Sequence, residues 1–210
     1  MTEETMTEEK LQDDIGANAA TDLQPELEGL RKRFGEQVLD VEAGIDCPSV
    51  TLARESIAEV CHYLKGEHGY EQVMDICGVD RSDYRGWPAD APRFQVVYQL
   101  LSVSRNCRIR LKVGANERDL VDSVTEVWPT ANWFEREAFD MYGIIFNHHP
   151  DLRRLLTDYG FEGYPLRKDF PVTGRVEMFF DEAQWRCVYR PNKVEIRQLI
   201  QKSWPGVDRG

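Results

Sequence analysis

Residues 94–113 restrict the fold more than any other stretch. Phe94–Ser104 is an extended apolar run, Arg105-Asn106 supplies a polar turn, and Cys107–Val113 alternates without a break. Cys107, Ile109, Leu111 and Val113 take one face of this second segment; Arg108, Arg110 and Lys112 take the other. A period of two over seven residues marks a strand with one buried face, and the short turn makes it the antiparallel neighbour of its predecessor. The apolar face has to be covered, and helices are the cover available in this chain. The basic face is left to solvent, to an acidic partner or to lipid headgroups.

The flanking segments supply that cover. A short helix is predicted from Pro25, with Leu27, Leu30 and Phe34 on one side, followed by an extended piece around Gln37–Glu42. Ile57, Val60, Cys61 and Leu64 fall at i, i+3, i+4 and i+7, which predicts an amphipathic helix stopped at Gly66. Val73–Val79 is a further short apolar run, followed by the polar loop Asp80–Pro92. Ser123–Trp128 reads as extended up to Pro129. Near the C-terminus, Val176, Met178 and Phe180 alternate within Arg175–Asp181, and with Arg186–Tyr189 they predict a hairpin. A last basic amphipathic piece carries Val194, Ile196, Leu199 and Ile200. The expected fold is α+β: a single domain with a mixed, largely antiparallel sheet packed by helices. Its expected divisions are a disordered acidic tail over 1–24, a core over 25–145 and an extended C-terminal docking region over 146–210.

Charge narrows the function classes. The net charge of −11 is concentrated at the start, where residues 1–30 hold nine acids against Lys10, so the remainder carries only −3. That balance argues against a nucleic-acid partner, which would demand a basic face. No run approaches the roughly eighteen apolar residues of a membrane span. The opening MTEETMTEEK lacks the basic and apolar regions of a secretory signal, so the chain is expected to stay in the compartment where it is made. Five cysteines, never in C-x-x-C spacing, read as small buried hydrophobes rather than as a disulfide or metal framework.

Asn132–Pro171 is the stretch dense in charges, aromatics, glycines and prolines. Asn132 is placed to cap a helix over Trp133–Tyr142, with Glu135 at the third position as in a capping box and Gly143 as the left-handed terminator. Asp151 is placed to cap a second short helix, LRRLLTDY, stopped by Gly160. The following GFEGYPLRKDFP is non-regular, and its Tyr164, Leu166 and Phe170 are expected to anchor on another surface. Glu135 and Glu137 are two apart on a helix and face different directions, so they make a poor acid–base pair. Arg136 and Asp140 are four apart and are expected to form an ion pair, whereas Glu137 shares a face with Trp133 and Asp140. His148 and His149 diverge in an extended segment with no completing ligands, and a satisfied structural histidine before Pro150 is the better reading. No phosphate-binding glycine loop, dinucleotide fingerprint or nucleophile elbow is present.

The string from Ala131 to Pro171, ANWFEREAFDMYGIIFNHHPDLRRLLTDYGFEGYPLRKDFP, resembles the signature of the 30 kDa subunit family of respiratory complex I, the C subunit of NADH-quinone oxidoreductase. Asp75–Asp80, Arg93–Ser102 and Ser123–Pro129 resemble the same family, and the likeness covers about residues 27–180. Tyr142 stands where Phe is as readily expected. The resemblance implies a subunit of the peripheral arm of a proton-translocating NADH:quinone oxidoreductase, at the cytoplasmic side of a bacterial inner membrane. It implies no catalytic, cofactor-binding or metal residue in this chain, with FMN and iron–sulfur clusters in other subunits and NADH and quinone handled by the complex. The implied partners are other complex I subunits, chiefly the large D subunit, which helps form the quinone pocket, and also the B subunit. The residues that would form the interface are Trp133, Glu135, Arg136, Glu137, Asp140, His149, Pro150, Arg153, Arg154, Gly163, Pro165, Leu166, Arg167, Lys168, Asp169, Phe170 and Pro171, with Arg153, Arg154, Arg167 and Lys168 pairing with carboxylates of the D or B subunit. The alternatives are the equivalent subunit of a membrane-bound hydrogenase or formate hydrogenlyase-type complex and, more distantly, a free-standing enzyme using Glu137 and His149.

Overall fold

The computed structural model describes residues 24–44, 46–88 and 90–194. The expected acidic tail and the amphipathic residues Ile196, Leu199 and Ile200 lie outside them. In chain order the elements are α1 (Gln24–Phe34), β1 (Val38–Glu42), β2 (Ser49–Leu52), α2 (Ile57–His68), β3 (Gln72–Asp80), β4 (Phe94–Ser102), β5 (Cys107–Ala115), β6 (Leu120–Asp122), α3 (Ala131–Tyr142), β7 (Ile145–Asn147), β8 (Val176–Asp181) and β9 (Arg186–Pro191).

Strands β1-β2-β5-β4-β3 form one sheet in that order. Only β2 and β5 run parallel; the other three pairings are antiparallel. The alternation in β5 fixes its register, setting Ile109, Leu111 and Val113 opposite Leu100, Tyr98 and Val96. These residues are buried with Val50 and Leu52 of β2 and Ile76 of β3. Leu30 of α1 and Ile57, Val60, Cys61 and Leu64 of α2 complete one core with them. On the opposite face, Lys112 pairs with Glu42 at 2.6 Å and Arg110 with Asp46 at 3.1 Å. The basic stripe therefore meets acids of its own chain, and Arg108 is left exposed.

Three local expectations are corrected. Helix α2 runs past Gly66 to His68 and ends on Gly69, at φ +65. Glu67 binds Arg33 of α1 and His68 packs edge-on against Tyr63, so side-chain contacts extend the helix past the first glycine. Ser123–Trp128 is a turn rather than a strand: the Val127 and Trp128 amides both donate to Val124 O, at 3.0 and 2.9 Å. The extended residues there are Leu120–Asp122, paired in parallel with Ile145–Asn147. Finally, residues 151–158 form no helix, because side chains from α3 take their backbone groups.

The chain divides into two compact units, with the boundary after Lys168. Among its described residues the second unit is built on the β8–β9 hairpin, registered from Val176 opposite Pro191 to Asp181 opposite Arg186.

Candidate interface platform on helix α3

Helix α3 carries the signature, and its two faces do different work. Trp133 and Glu137 are exposed, whereas Glu135, Arg136, Ala138, Asp140 and Met141 are buried. Asp140 thus leaves the face of Trp133 and Glu137. Gly143, at φ +76, ends the helix as expected, its amide donating to Phe139 O at 2.8 Å.

Asp140 organises the loop that follows. Its side chain is fully buried, and Oδ2 accepts the successive amides of Leu155, Leu156 and Thr157 at 3.0, 2.7 and 2.9 Å. Oδ1 accepts the Thr157 hydroxyl at 2.5 Å and Arg154 Nη1 at 2.8 Å. Burial alone would raise its pKa, but the Thr157 hydroxyl, the Thr157 and Leu156 amides and Arg154 outweigh burial and hold it at about 2. Arg136 takes the loop's carbonyls, donating from Nε to Arg153 O at 3.1 Å and from Nη2 to Arg154 O at 3.2 Å. The expected Arg136–Asp140 pair is therefore replaced: Arg154 neutralises Asp140, and Arg136 holds backbone. These bonds also explain the missing second helix, whose hydrogen bonds would need the same amides and carbonyls.

The remaining signature residues close the platform. Arg154 also donates to Gly163 O at 3.0 Å and lies over the Tyr164 ring. Arg167 donates to Tyr142 O at 2.6 Å, pairs with Glu117 at 3.0 Å and stacks on Tyr164 and Phe94 at 4.3 and 5.0 Å. Tyr164, expected to anchor on another surface, lies against the Arg154 and Arg167 guanidinium groups of its own chain. The Lys168 amide reaches Asp80 Oδ2 at 2.9 Å, beside Arg93. Burial of Asp80 opposes its ionisation, but Arg93 and the Lys168 and Ser82 amides depress its pKa below the ordinary carboxylate range. His149 accepts the Asp151 amide at Nδ1, so Nε2 carries the proton toward Asn132 O at 3.1 Å. It is a structural ring, as its sequence context indicates. His148 is exposed and adopts φ +61.

Glu135 is not a cap. The helix starts at Ala131 after Thr130, with no side-chain cap bond, and Glu135 points inward instead. Its Oε1 accepts the Val124 amide at 2.8 Å, while Oε2 is buried without a hydrogen-bond partner. Burial raises its pKa to about 7 against the opposing Val124 amide and Ser123 hydroxyl.

Apolar and aromatic side chains stay exposed here, Trp133 at 66%, Tyr159 at 90%, Leu156 at 61% and Leu166 at 50%, among exposed charges such as Glu137, Asp151, Asp158 and Glu162. Tyr159 and Leu156 do not stand out in the sequence, because LRRLLTDY reads as a helix. Lys168 is exposed on the same segment, and Arg153 pairs with the exposed Asp151 at 2.8 Å. No group of three or more His, Cys, Asp or Glu side chains suited to a metal occurs among the described residues. No helix among them is long and apolar enough to cross a membrane.

The sequence profile described as "Respiratory-chain NADH dehydrogenase, 30 Kd subunit" matches residues 50–176, more than half the chain. The chain belongs to this family. The C subunit of NADH-quinone oxidoreductase from Phenylobacterium zucineum is 53% identical over 164 residues, spanning 77% of this chain and 76% of its own. Its counterpart from Coxiella burnetii is 43% identical over 204 residues, 84% of this chain and 90% of its own. Among solved structures, the trypsin-resistant fragment (1-134) of Nqo5 superposes with a TM-score of 0.55 at 33% identity, covering 62% of this chain and 98% of the fragment. A chain of an archaeal respiratory membrane complex, the membrane-bound sulfane sulfur reductase, shares the fold with a TM-score of 0.53 at 21% identity, covering 70% of this chain and 86% of its own. The chain is a complex I subunit of the 30 kDa family, and the α+β reading of its fold holds.

Proposed function

We propose that this chain is a cofactor-free architectural subunit of the peripheral arm of NADH:quinone oxidoreductase, with no catalytic site of its own. It sits at the cytoplasmic side of a bacterial inner membrane, docks chiefly on the D subunit and also on the B subunit, and leaves FMN and the iron–sulfur clusters to other subunits. The observation that carries the reading is how the signature charges are used. Asp140 has five donors and Arg154 and Arg167 each have a carboxylate, all within the chain. The polar groups that look catalytic in sequence build a rigid platform, and the platform presents Trp133, Tyr159, Leu156 and Leu166 outward. Trp, Tyr and Arg beside aliphatic residues are the side chains that dominate interface energetics. Buried signature residues such as Glu135 and Asp140 act by shaping this face, and exposed ones such as Trp133, Arg153, Leu166 and Lys168 act by contact.

Purification of the tagged full chain from membranes tests the reading. The D and B subunits are expected in the purified complex, with flavin and iron–sulfur signals in the complex and neither in the chain purified alone. Turnover by the isolated chain, or stoichiometric metal in it, would overturn the proposal.

A further inference from the structure

The β8–β9 hairpin has two edges, and its backbone groups can be assigned to them one by one. Asn192 N donates to Arg175 O at 3.1 Å, so these opposite residues form a hydrogen-bonded pair. Bonded and non-bonded pairs alternate along an antiparallel ladder. The register therefore bonds Glu177 to Arg190, Phe179 to Val188 and Asp181 to Arg186, and it turns the N–H and C=O groups of Val176, Met178 and Phe180 away from β9. Among the described residues no further strand pairs with β8, and no backbone group bonds to those three amides. The outer edge of β9 offers less, because Pro191 has no N–H. The outward groups of β8 belong to the same residues whose exposed side chains form an uncharged strip with Cys187, Tyr189 and Pro191. A two-stranded ribbon is marginal in water and gains stability from a third strand or a packed helix.

We infer that the open edge of β8 receives an extended segment of a neighbouring subunit as a third strand, with uncharged residues alternating beside Val176, Met178 and Phe180. The inference rests on the architectural reading above and assigns the form of one contact within it. Backbone chemistry decides the form. A lipid surface or a helix laid on the strip would cover the side chains and give the edge groups nothing, whereas a strand presents donors and acceptors at the same two-residue spacing. Charge complementarity decides the composition, because a charged residue facing the strip would lose water without gaining a counter-ion. A second copy is disfavoured, since two chains of net charge −11 repel.

The test starts with hydrogen exchange at single-residue resolution on the native complex containing the full chain. The amides of Val176, Met178 and Phe180 are expected to be protected there together with those of Glu177, Phe179 and Asp181. Fast exchange at the first three would overturn the inference, whatever the second three do, because it marks an edge open to water. The source of the strand is read by placing the photo-cross-linker p-benzoylphenylalanine at Val176 and mapping the cross-linked peptide by mass spectrometry. A peptide of another subunit is expected. Cross-links to residues 195–210 of the same chain, to a second copy or to lipid would overturn the inference, and so would none at all. Met178→Pro then separates edge pairing from side-chain burial. Proline removes the outward N–H and leaves the bonds to β9 in place, and it should lower the chain recovered in membrane complex about tenfold or more. Met178→Val, close to proline in size, keeps the amide and should be recovered near the wild-type level; equal recovery of the two variants would count against the third strand. The exchange measurement needs no substitution and decides alone if Met178→Pro does not fold. An open edge in a complex that contains the chain leaves the architectural proposal standing, whereas absence of the chain from the complex overturns that proposal itself.

Discussion

Asp140 and Glu135 lie one and a half turns apart on the same helix and respond to pH in opposite senses. Asp140 has a folded pKa of about 2 against an ordinary value of 3.8, so the stability it contributes is complete above pH 4 and is lost as the pH falls through 2. The shift corresponds to about 2 kcal/mol. Asp140→Asn removes the counter-charge of Arg154 and weakens the acceptor for three amides, and should lower unfolding stability at pH 7 by about 3 kcal/mol in urea titrations. An unchanged urea midpoint would show that the loop does not depend on this carboxylate. Glu135 has a folded pKa of about 7 against 4.5, so the native state favours the protonated acid. Stability should decline as the pH rises from 4.5 to 7 and then level off, by at most about 3 kcal/mol. Glu135→Gln keeps an acceptor for the Val124 amide and cannot ionise. It should remove the decline and exceed the wild type in stability at pH 8, and parallel pH profiles for the two proteins would refute this assignment. Sequence spacing places Glu135 at a cap and Asp140 in an i, i+4 pair because it counts only helical neighbours. The partners that prevail, the Val124 amide and the 154–157 loop, are contributed by tertiary folding.

At the scale of elements, what the sequence makes legible follows how local the determinants are. The β4–β5 pair is readable because alternation and turn lie within twenty residues, and the α3 terminator because Gly143 is needed at a left-handed φ. The 151–158 loop is not readable. Its apolar and basic residues favour a helix, and only the carboxylate of Asp140 and the guanidinium of Arg136 redirect the backbone. Gly143 joins the two kinds of determinant. A Cβ there would lie 2.6 Å from both Arg167 Nη2 and the Tyr164 ring, at a φ of +76 that L side chains disfavour. Gly143→Ala should therefore destabilise the chain by about 2 kcal/mol, combining backbone strain with displaced neighbours. It should also loosen residues 160–168 in particular, seen as faster limited proteolysis there under conditions where the sheet stays intact. Equal protease resistance in mutant and wild type would mean that this stretch is held independently of the helix end.

For the whole molecule, position in the fold separates residues that build a surface from residues that meet a partner, a distinction charge alone does not make. Arg167 and Lys168 are adjacent cations in sequence, yet Arg167 has 14% of its side chain exposed and bonds Glu117 and Tyr142 O, whereas Lys168 is exposed. Arg167→Glu should lower the thermal transition of the free chain, whereas Lys168→Glu should leave it unchanged and reduce the yield of assembled complex. The second unit gives the sharper test. On one face of its hairpin Val176, Met178 and Phe180 stand opposite Pro191, Tyr189 and Cys187, with no charge among the six. Met178 is 57% and Phe180 49% exposed, and Trp185 meets Phe180 edge-on from the turn. The other face carries the Glu177–Arg190 pair. A two-stranded ribbon is marginally stable in water, and an uncharged exposed face on one is the kind of surface that another chain covers. Substituting Met178→Asp and Phe180→Asp together should leave the melting of the sheet-bearing unit unchanged, because its core contains neither residue. The same double substitution should reduce the chain recovered in purified membrane complex by about tenfold or more. Normal recovery would remove the hairpin from the interface and leave the α3 platform as the surface to probe.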